Sequence, residues 1–338
     1  MGSSISFKRL LMFSAVMLVL IASCSEEPKE KTPIQTLPPE SKLTLKPRPA
    51  FDADSAYAFI EKQVRFGPRV PNTKEHTRCA SWLEKKLKSY GATVIIQKAQ
   101  LTAYNGQELS AVNIMGQINP NASKRILLCA HWDSRPYADR DSKERMKPID
   151  GANDGASGVG VLLEVLRAIH LDSIDPDLGV DIVFFDAEDY GKPEGSMLGN
   201  SGDSWCLGSQ YWAKNLPIKD YKPEFGILLD MVGAADAVFP KEGVSLYYAP
   251  QIVDKVWKIA GALGHENYFR SFKGNEITDD HRYLNEIAKI PTIDIIHYDM
   301  GRFDFGEFHH THADNMDVID KSTLQVVGDV VLQVLYQE

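Results

Sequence analysis

The chain has 338 residues, with 37 lysines and arginines against 46 aspartates and glutamates, for a formal net charge of −9. Its 43% hydrophobic content is that of a globular protein and excludes a wholly disordered one. The acidic balance argues against nucleic acid as a partner, because phosphate backbones are bound by an excess of lysine and arginine.

At the N-terminus, Lys8 and Arg9 precede an apolar run over 10–22 that ends in Ile21-Ala22-Ser23-Cys24. A basic start, a short apolar stretch and small residues before a cut have the pattern of a secretory signal. The run falls short of the roughly 20 apolar residues a membrane-spanning helix needs. Small residues before Cys24 resemble the bacterial lipobox. That resemblance implies a lipoprotein signal peptide over 1–23, lipidation at Cys24, and an exported protein anchored to a membrane and facing the periplasm or the cell surface. Losing Lys8 and Arg9 would move the charge from −9 to −11. Residues 24–50 hold Pro28, Pro33, Pro38, Pro39, Pro47 and Pro49 with little apolar periodicity, the composition of a semi-rigid tether. A single catalytic domain is then expected over 51–338. Its three cysteines, Cys79, Cys129 and Cys206, lack zinc-knuckle spacing and read first as small buried residues, second as one disulfide and a leftover thiol.

Within that domain, helix and strand patterns alternate. Helices are expected over 55–64 and 73–90, where Cys79, Trp82, Leu83 and Leu87 share a face and Gly91 closes the second. Strands follow over 93–97, 110–116 and 125–129, then a helix over 158–171. Strand 180–186, helix 208–214, strand 225–230, helix 252–263, strand 292–297 and helix 322–336 complete the pattern. Such alternation predicts an α/β fold, a three-layer αβα sandwich around a mixed, mostly parallel sheet. Ligands of such sheets sit at the carboxyl ends of the strands.

Metal-type side chains gather at those ends. The strand over 180–185 is uniformly apolar apart from Asp181, then breaks into Asp186, Glu188 and Asp189. Unpaired carboxylates are costly inside a sheet, so a cation facing them explains the arrangement, with a solvated turn as the plainer alternative. His131 and Asp133 follow the strand over 125–129, and Asp154 lies in Gly151-Ala-Asn-Asp154-Gly-Ala-Ser-Gly. There it reads either as a helix cap or as a ligand. Asp230 ends another strand, and His309-His310-Thr311-His312 follows the last one. Oxygen and nitrogen donors without cysteine suit a catalytic zinc.

In this order the motifs resemble the zinc aminopeptidases of the M28 type over about 51–336. Within that clan they resemble the animal-type glutaminyl cyclases, the glutaminyl-peptide cyclotransferases that also occur in some bacteria. The narrower likeness rests on the Glu188-Asp189 pair, on Thr278-Asp279-Asp280-His281 and on Trp205-Cys-Leu-Gly-Ser-Gln-Tyr-Trp212. It implies one Zn²⁺ per chain held by Asp154, Asp189 and His310, Glu188 as general acid and base, and Asp279 as an assisting acid. It further implies Asp230, Trp205, Phe305 and His309 around the substrate. His309 stands where animal cyclases have tryptophan. His131 matches a second-zinc ligand of the aminopeptidases that the cyclases keep without a second metal.

The implied reaction closes an N-terminal glutamine of a peptide or protein to pyroglutamate with release of ammonia. The nucleophile and electrophile already sit in one molecule, so no water is needed. Two rivals remain at this point. One is a two-zinc aminopeptidase of the same clan, and the other a silent lipoprotein using the fold for binding, which would have no need of Glu188 and the three ligands.

Overall fold

The computed structural model describes residues 43–197 and 203–338. The expected signal segment, Cys24 and the tether up to residue 42 lie outside the described residues. Helices α1 (Ala53–Val64) and α2 (Lys74–Ser89) lead into strands β1 (Thr93–Thr102), β2 (Glu108–Ile118) and β3 (Lys124–His131). Then come α3 (Ala156–Asp172), β4 (Leu178–Phe185), α4 (Leu207–Lys214), β5 (Phe225–Asp230) and β6 (Phe239–Lys241). The chain continues through α5 (Gly243–Tyr248), α6 (Pro250–Ala262), β7 (Phe269–Lys273), α7 (Asp280–Tyr283), β8 (Thr292–Ile296) and α8 (Lys321–Gln337).

Six strands form one mixed sheet in the order β1-β2-β4-β3-β5-β8. It is antiparallel from β1 through β2 to β4 and parallel across β4, β3, β5 and β8. All eight residues of β4 are buried, as expected of a strand covered on both faces. Side-chain alternation splits the core. Ile126, Leu128, Val180, Ile182 and Phe184 face a large layer built with α1, α2, α3, α6 and α8. Leu127, Cys129, Val183 and Phe185 face a smaller one with Trp212, Tyr221 and Leu284. Helix α3 reaches the sheet closely because Gly158 has no side chain: a Cβ there would stand 2.2 Å from the Leu229 carbonyl oxygen.

The αβα sandwich matches the expectation from sequence, and the main elements agree apart from their ends. The elements not anticipated, β6, β7, α5 and α7, are three to six residues long, too short to show a period. Cys79, Cys129 and Cys206 are free and buried, in line with the first of the two readings of the cysteines. The end of the Pro-rich stretch departs from a free tether. Arg48 donates to Asp329 Oδ1 (2.7 Å) and Gln333 Oε1 (3.2 Å) on α8, and Lys46 N donates to Gln337 Oε1 (3.0 Å). Residues from 46 onward therefore pack with the domain, whose start was expected at 51.

Candidate active site

The carboxyl ends of β3, β4 and β5 open onto a cavity of about 410 Å³ whose walls include Arg135, Trp205, Tyr298 and Phe305. Each acid is delivered there by a turn that backbone chemistry fixes. After β4 the chain enters a turn with Ala187 in the left-handed region (φ 53°). Asp133, at the end of β3, accepts the Glu188 and Asp189 amides through its two carboxylate oxygens (3.1 and 3.3 Å). Asp186 does not join the site: it turns back, pairing with His76 (2.7 Å) and accepting the Val112 amide (2.6 Å). Of the three acids after β4, only Glu188 and Asp189 line the cavity.

Asp154 is no helix cap. Gly155 takes that place at φ 89°, where a Cβ would meet His131 Cε1 at 2.7 Å. Asp314 accepts the Asn153 and Asp154 amides (2.7 and 3.1 Å), which points the Asp154 carboxylate away from the backbone. Its Oδ1 lies 3.0 Å from His131 Nε2, and its Oδ2 lies 3.9 Å from His310 Nε2. His310 Nε2 is also 3.4 Å from Asp189 Oδ1. Asp154, Asp189 and His310 thus converge around one ring nitrogen. His131 Nε2 contacts Asp230 Oδ1 as well (3.1 Å).

The two adjacent histidines are told apart by their far sides. Arg140 Nη1 donates to His309 Nδ1 (2.8 Å), and a guanidinium can only donate. The neutral His309 ring must then carry its proton on Nε2, the atom that faces Asp154 Oδ2 at 4.0 Å, and it offers no lone pair there. His310 Nδ1 instead faces Asp139 Oδ1 (3.5 Å), which places the proton on Nδ1 and leaves Nε2 free to bind. Burial and the Arg135 charge hold His310 down to about 4, so it is neutral at neutral pH. His312 pairs with Asp141 outside the group (3.0 Å).

This donor set fits a zinc ion. It offers carboxylate oxygen and neutral imidazole nitrogen without thiolate, and Asp189 Oδ2 is buried with no hydrogen-bond partner. Burial and the neighbouring Asp154 charge push Asp189 well up, partly offset by Arg135, so the site lacks positive charge for its acids. Asp154 is held below its usual range, because hydrogen bonding and charge from His131 outweigh its burial.

Glu188 stands beside this group. Burial raises it well above the ordinary glutamate range, His131 opposes the rise, and Asp279, Asp189 and Asp280 add to it. Asp279 caps α7, with Oδ1 accepting the Asp280 amide (2.5 Å) and Oδ2 buried without a partner. Burial and Asp230 push Asp279 up to about 7. Trp205 lies flat against His310 (centroids 5.7 Å, 9° between planes) with the Arg135 guanidinium 4.6 Å from its ring centroid. Phe305 tilts against His309 (4.8 Å) and meets Tyr298 edge-on (5.1 Å).

The residues to which the resemblance assigns a role all line this cavity: Asp154, Glu188, Asp189, Trp205, Asp230, Asp279, Phe305, His309 and His310. Residues without an assigned role also emerge. Asp133 and Asp314 orient backbone amides. Buried Arg135 donates to Asp139 (2.7 Å), to the Asp189 carbonyl (3.0 Å) and to Asp189 Oδ1 (3.3 Å). Asp133 stood among the strand-end residues read from sequence and Asp314 lies two residues past the histidine run, whereas Arg135 and Asp139 lie in a loop with no periodic signal.

Comparison with known proteins identifies the family of the chain. Residues 113–335 match the model of peptidase family M28. Bovine glutaminyl-peptide cyclotransferase is 26% identical over 254 residues, covering 67% of this chain and 65% of the bovine protein, just under two thirds of its length. Among solved structures, the Bacteroides thetaiotaomicron glutaminyl cyclase bound to N-acetylhistamine is 51% identical with a TM-score of 0.84, covering 86% of this chain and all of that one. A Zn-dependent exopeptidase from Parabacteroides distasonis is also 51% identical with a TM-score of 0.84, at the same coverage. The chain belongs to peptidase family M28, in the group that contains the bacterial glutaminyl cyclases.

Proposed function

We propose that this chain cyclises the N-terminal glutamine of peptides or proteins to pyroglutamate, releasing ammonia, and that Asp154, Asp189 and His310 would hold a single zinc ion. Zinc bound there would supply a Lewis acid for the γ-carbonyl oxygen of the substrate glutamine. The carboxylate of Glu188 takes a proton from the α-amine as that nitrogen bonds to the side-chain carbonyl carbon. The same carboxyl returns a proton to the departing amide nitrogen as the C–N bond breaks, so ammonia leaves and no water is consumed. A shuttle of this kind contributes about 10²–10⁴-fold. Burial raises the pKa of Glu188 above the ordinary glutamate range, the direction that helps a group return a proton as well as take one.

Asp230, 6% exposed at the cavity wall, is placed to accept from the substrate amine, and Asp279 to exchange protons with Glu188. Trp205 and Phe305 give the small chamber aromatic walls, with the His309 Nε2–H beside them. The observation that carries the reading is a division of roles: His310 Nε2 gathers Asp154 and Asp189, while Glu188, one residue from Asp189, is left outside that trio. His131, Asp154 and Asp230 form a second donor group, with His131 Nε2 within 3.1 Å of both carboxylates, which a two-zinc peptidase would use; one zinc per chain by elemental analysis supports the single-ion reading and two would replace it.

Export and lipid attachment at Cys24 belong to the same proposal, supported by the signal-type segment and the prolines that follow it. The deciding experiment is incubation of the purified protein with a Gln-initiated peptide followed by mass. The expected result is loss of one ammonia. Loss of a whole residue would replace the cyclase reading with the peptidase one.

A further inference from the structure

Cys206 precedes α4 and is fully buried, with its sulfur 3.0 Å from Glu188 Oε1. Among the described residues this is the one hydrogen bond made to that carboxylate. The contact is built on backbone. Cys206 N donates to the Glu188 carbonyl (2.9 Å) and Leu207 N to the Ala187 carbonyl (3.0 Å). Gly208 lies so close to the turn that a Cβ there would stand 2.0 Å from the Asp186 carbonyl oxygen. The start of α4 and the turn bearing Glu188 are therefore locked together, and thiol and carboxyl keep a fixed relation.

Backbone conformation adds an independent argument. Cys206 sits in the left-handed region (φ 55°, ψ 34°), where glycine is the unstrained choice. A side chain at such a position is kept against its conformational cost, and here it points at the proton-shuttling group. Burial drives the thiol well up, the Glu188 charge adds to the rise, and it stays protonated as a donor.

We propose that Cys206 is a positioning residue for Glu188: its S–H donates to Oε1 and holds the carboxylate in one rotamer against the cavity. A glutamate has three side-chain torsions, and a carboxylate that wanders spends less time within reach of the substrate amine. The inference rests on Glu188 being the proton shuttle of the proposed function, and its test has one arm that does not need that reading. The infrared S–H stretching band of Cys206, identified by its loss in Cys206→Ser, should move to higher frequency in Glu188→Ala. An unmoved band would overturn the hydrogen bond itself.

The second arm compares Cys206→Gly with Cys206→Ser on a Gln-initiated peptide. The glycine variant suits the backbone, so its melting temperature should hold or rise and its zinc content stay at the wild-type level. Its kcat should fall about five- to tenfold, the worth of one hydrogen bond, with KM changing less than about twofold. The serine variant, still a donor, should recover most of that loss. Wild-type kcat in the glycine variant, or equal losses in glycine and serine, would overturn the positioning role. If the wild-type protein released a residue instead of ammonia, the cyclase reading would fail. The same comparison on that release would still decide for or against the thiol, since Glu188 is the proton shuttle in either chemistry.

Discussion

Strand β4 carries buried carboxylates at both ends, and the two ends differ in how those charges are satisfied. Near its start, Asp181 takes the Arg125 guanidinium in a two-point contact (2.5 and 2.7 Å), the Tyr221 hydroxyl (2.7 Å) and the Gln117 amide (2.9 Å). Just past its end, Asp189 has only the side of Arg135 at 3.3 Å and one oxygen with no partner, while Glu188 has a thiol. The strand is equally buried throughout, so burial does not explain the difference. A carboxylate whose work is structural is surrounded by donors that stabilise its charge. One meant to hold a metal or move a proton is left under-satisfied, with its stability supplied from elsewhere in the fold.

The largest test of this contrast is Glu188→Gln. The substitution keeps shape and neutral hydrogen bonding but removes the proton acceptor. Turnover of a Gln-initiated peptide should fall by about 10²–10⁴-fold with zinc content and melting temperature near wild type. A variant keeping most of its activity would remove Glu188 from the chemistry. Next come the metal donors. His310→Ala or Asp154→Ala should lose zinc by elemental analysis and lose activity with it, whereas His309→Ala should retain the ion. Zinc retained in His310→Ala but lost in His309→Ala would reverse the tautomer argument built on Arg140.

That last pair shows where the sequence stops being legible. The apolar run of β4, the positions of Glu188, Asp189 and Asp230 at strand ends and that of Asp154 just ahead of a helix follow from period and charge alone. The choice between His309 and His310 does not, because it is made by Arg140 and Asp139, far away in the chain. Asp186 misleads for a similar reason. It stands in the same acidic run as Glu188, but its partner His76 comes from α2, and only the assembled sheet turns it away from the site. Cys206 gives no signal at all, since its role depends on a left-handed backbone that favours glycine.

At the satisfied end of β4 the expected effect is on stability. Asp181→Asn should leave Arg125 buried without its counter-charge and cost about 3–5 kcal/mol in a urea titration, with kcat unchanged. A fall in kcat at full stability would mean that the two ends of the strand are not separable.

Glu242 extends the structural class to the loop that carries Asp279. It accepts the Val244, Ser245 and Ile277 amides (2.7, 2.6 and 2.8 Å) and sits 3.0 Å from His281 Nε2. Burial raises its pKa, but the His281 hydrogen bond and charge and the Ser245 donors outweigh that and hold it down to about 2. A depressed carboxylate contributes stability above its unfolded pKa of about 4.3 and loses it as pH falls toward the folded value. Unfolding free energy should therefore drop between about pH 5 and 2, and Glu242→Gln should flatten that part of the profile. An unchanged slope in the variant would assign the acid sensitivity to other groups.

The smallest effect is expected where the Pro-rich stretch meets the domain. Arg48 and Asp329 form an ion pair in which both side chains are under one fifth exposed (15% and 17%), and Arg48 also reaches Gln333 on the same helix. Partial burial makes this more than a surface pair, but one contact at the edge of a large domain contributes only about 1 kcal/mol. Deleting residues up to 42 should leave melting temperature and kcat alone. Extending the deletion through residue 50 should lower the melting temperature by about 2–4 °C with kcat still unchanged, because α8 lies on the helical layer away from the cavity. A loss of kcat on the longer deletion would mean that this segment supports the acids at the strand ends as well as the helix it covers.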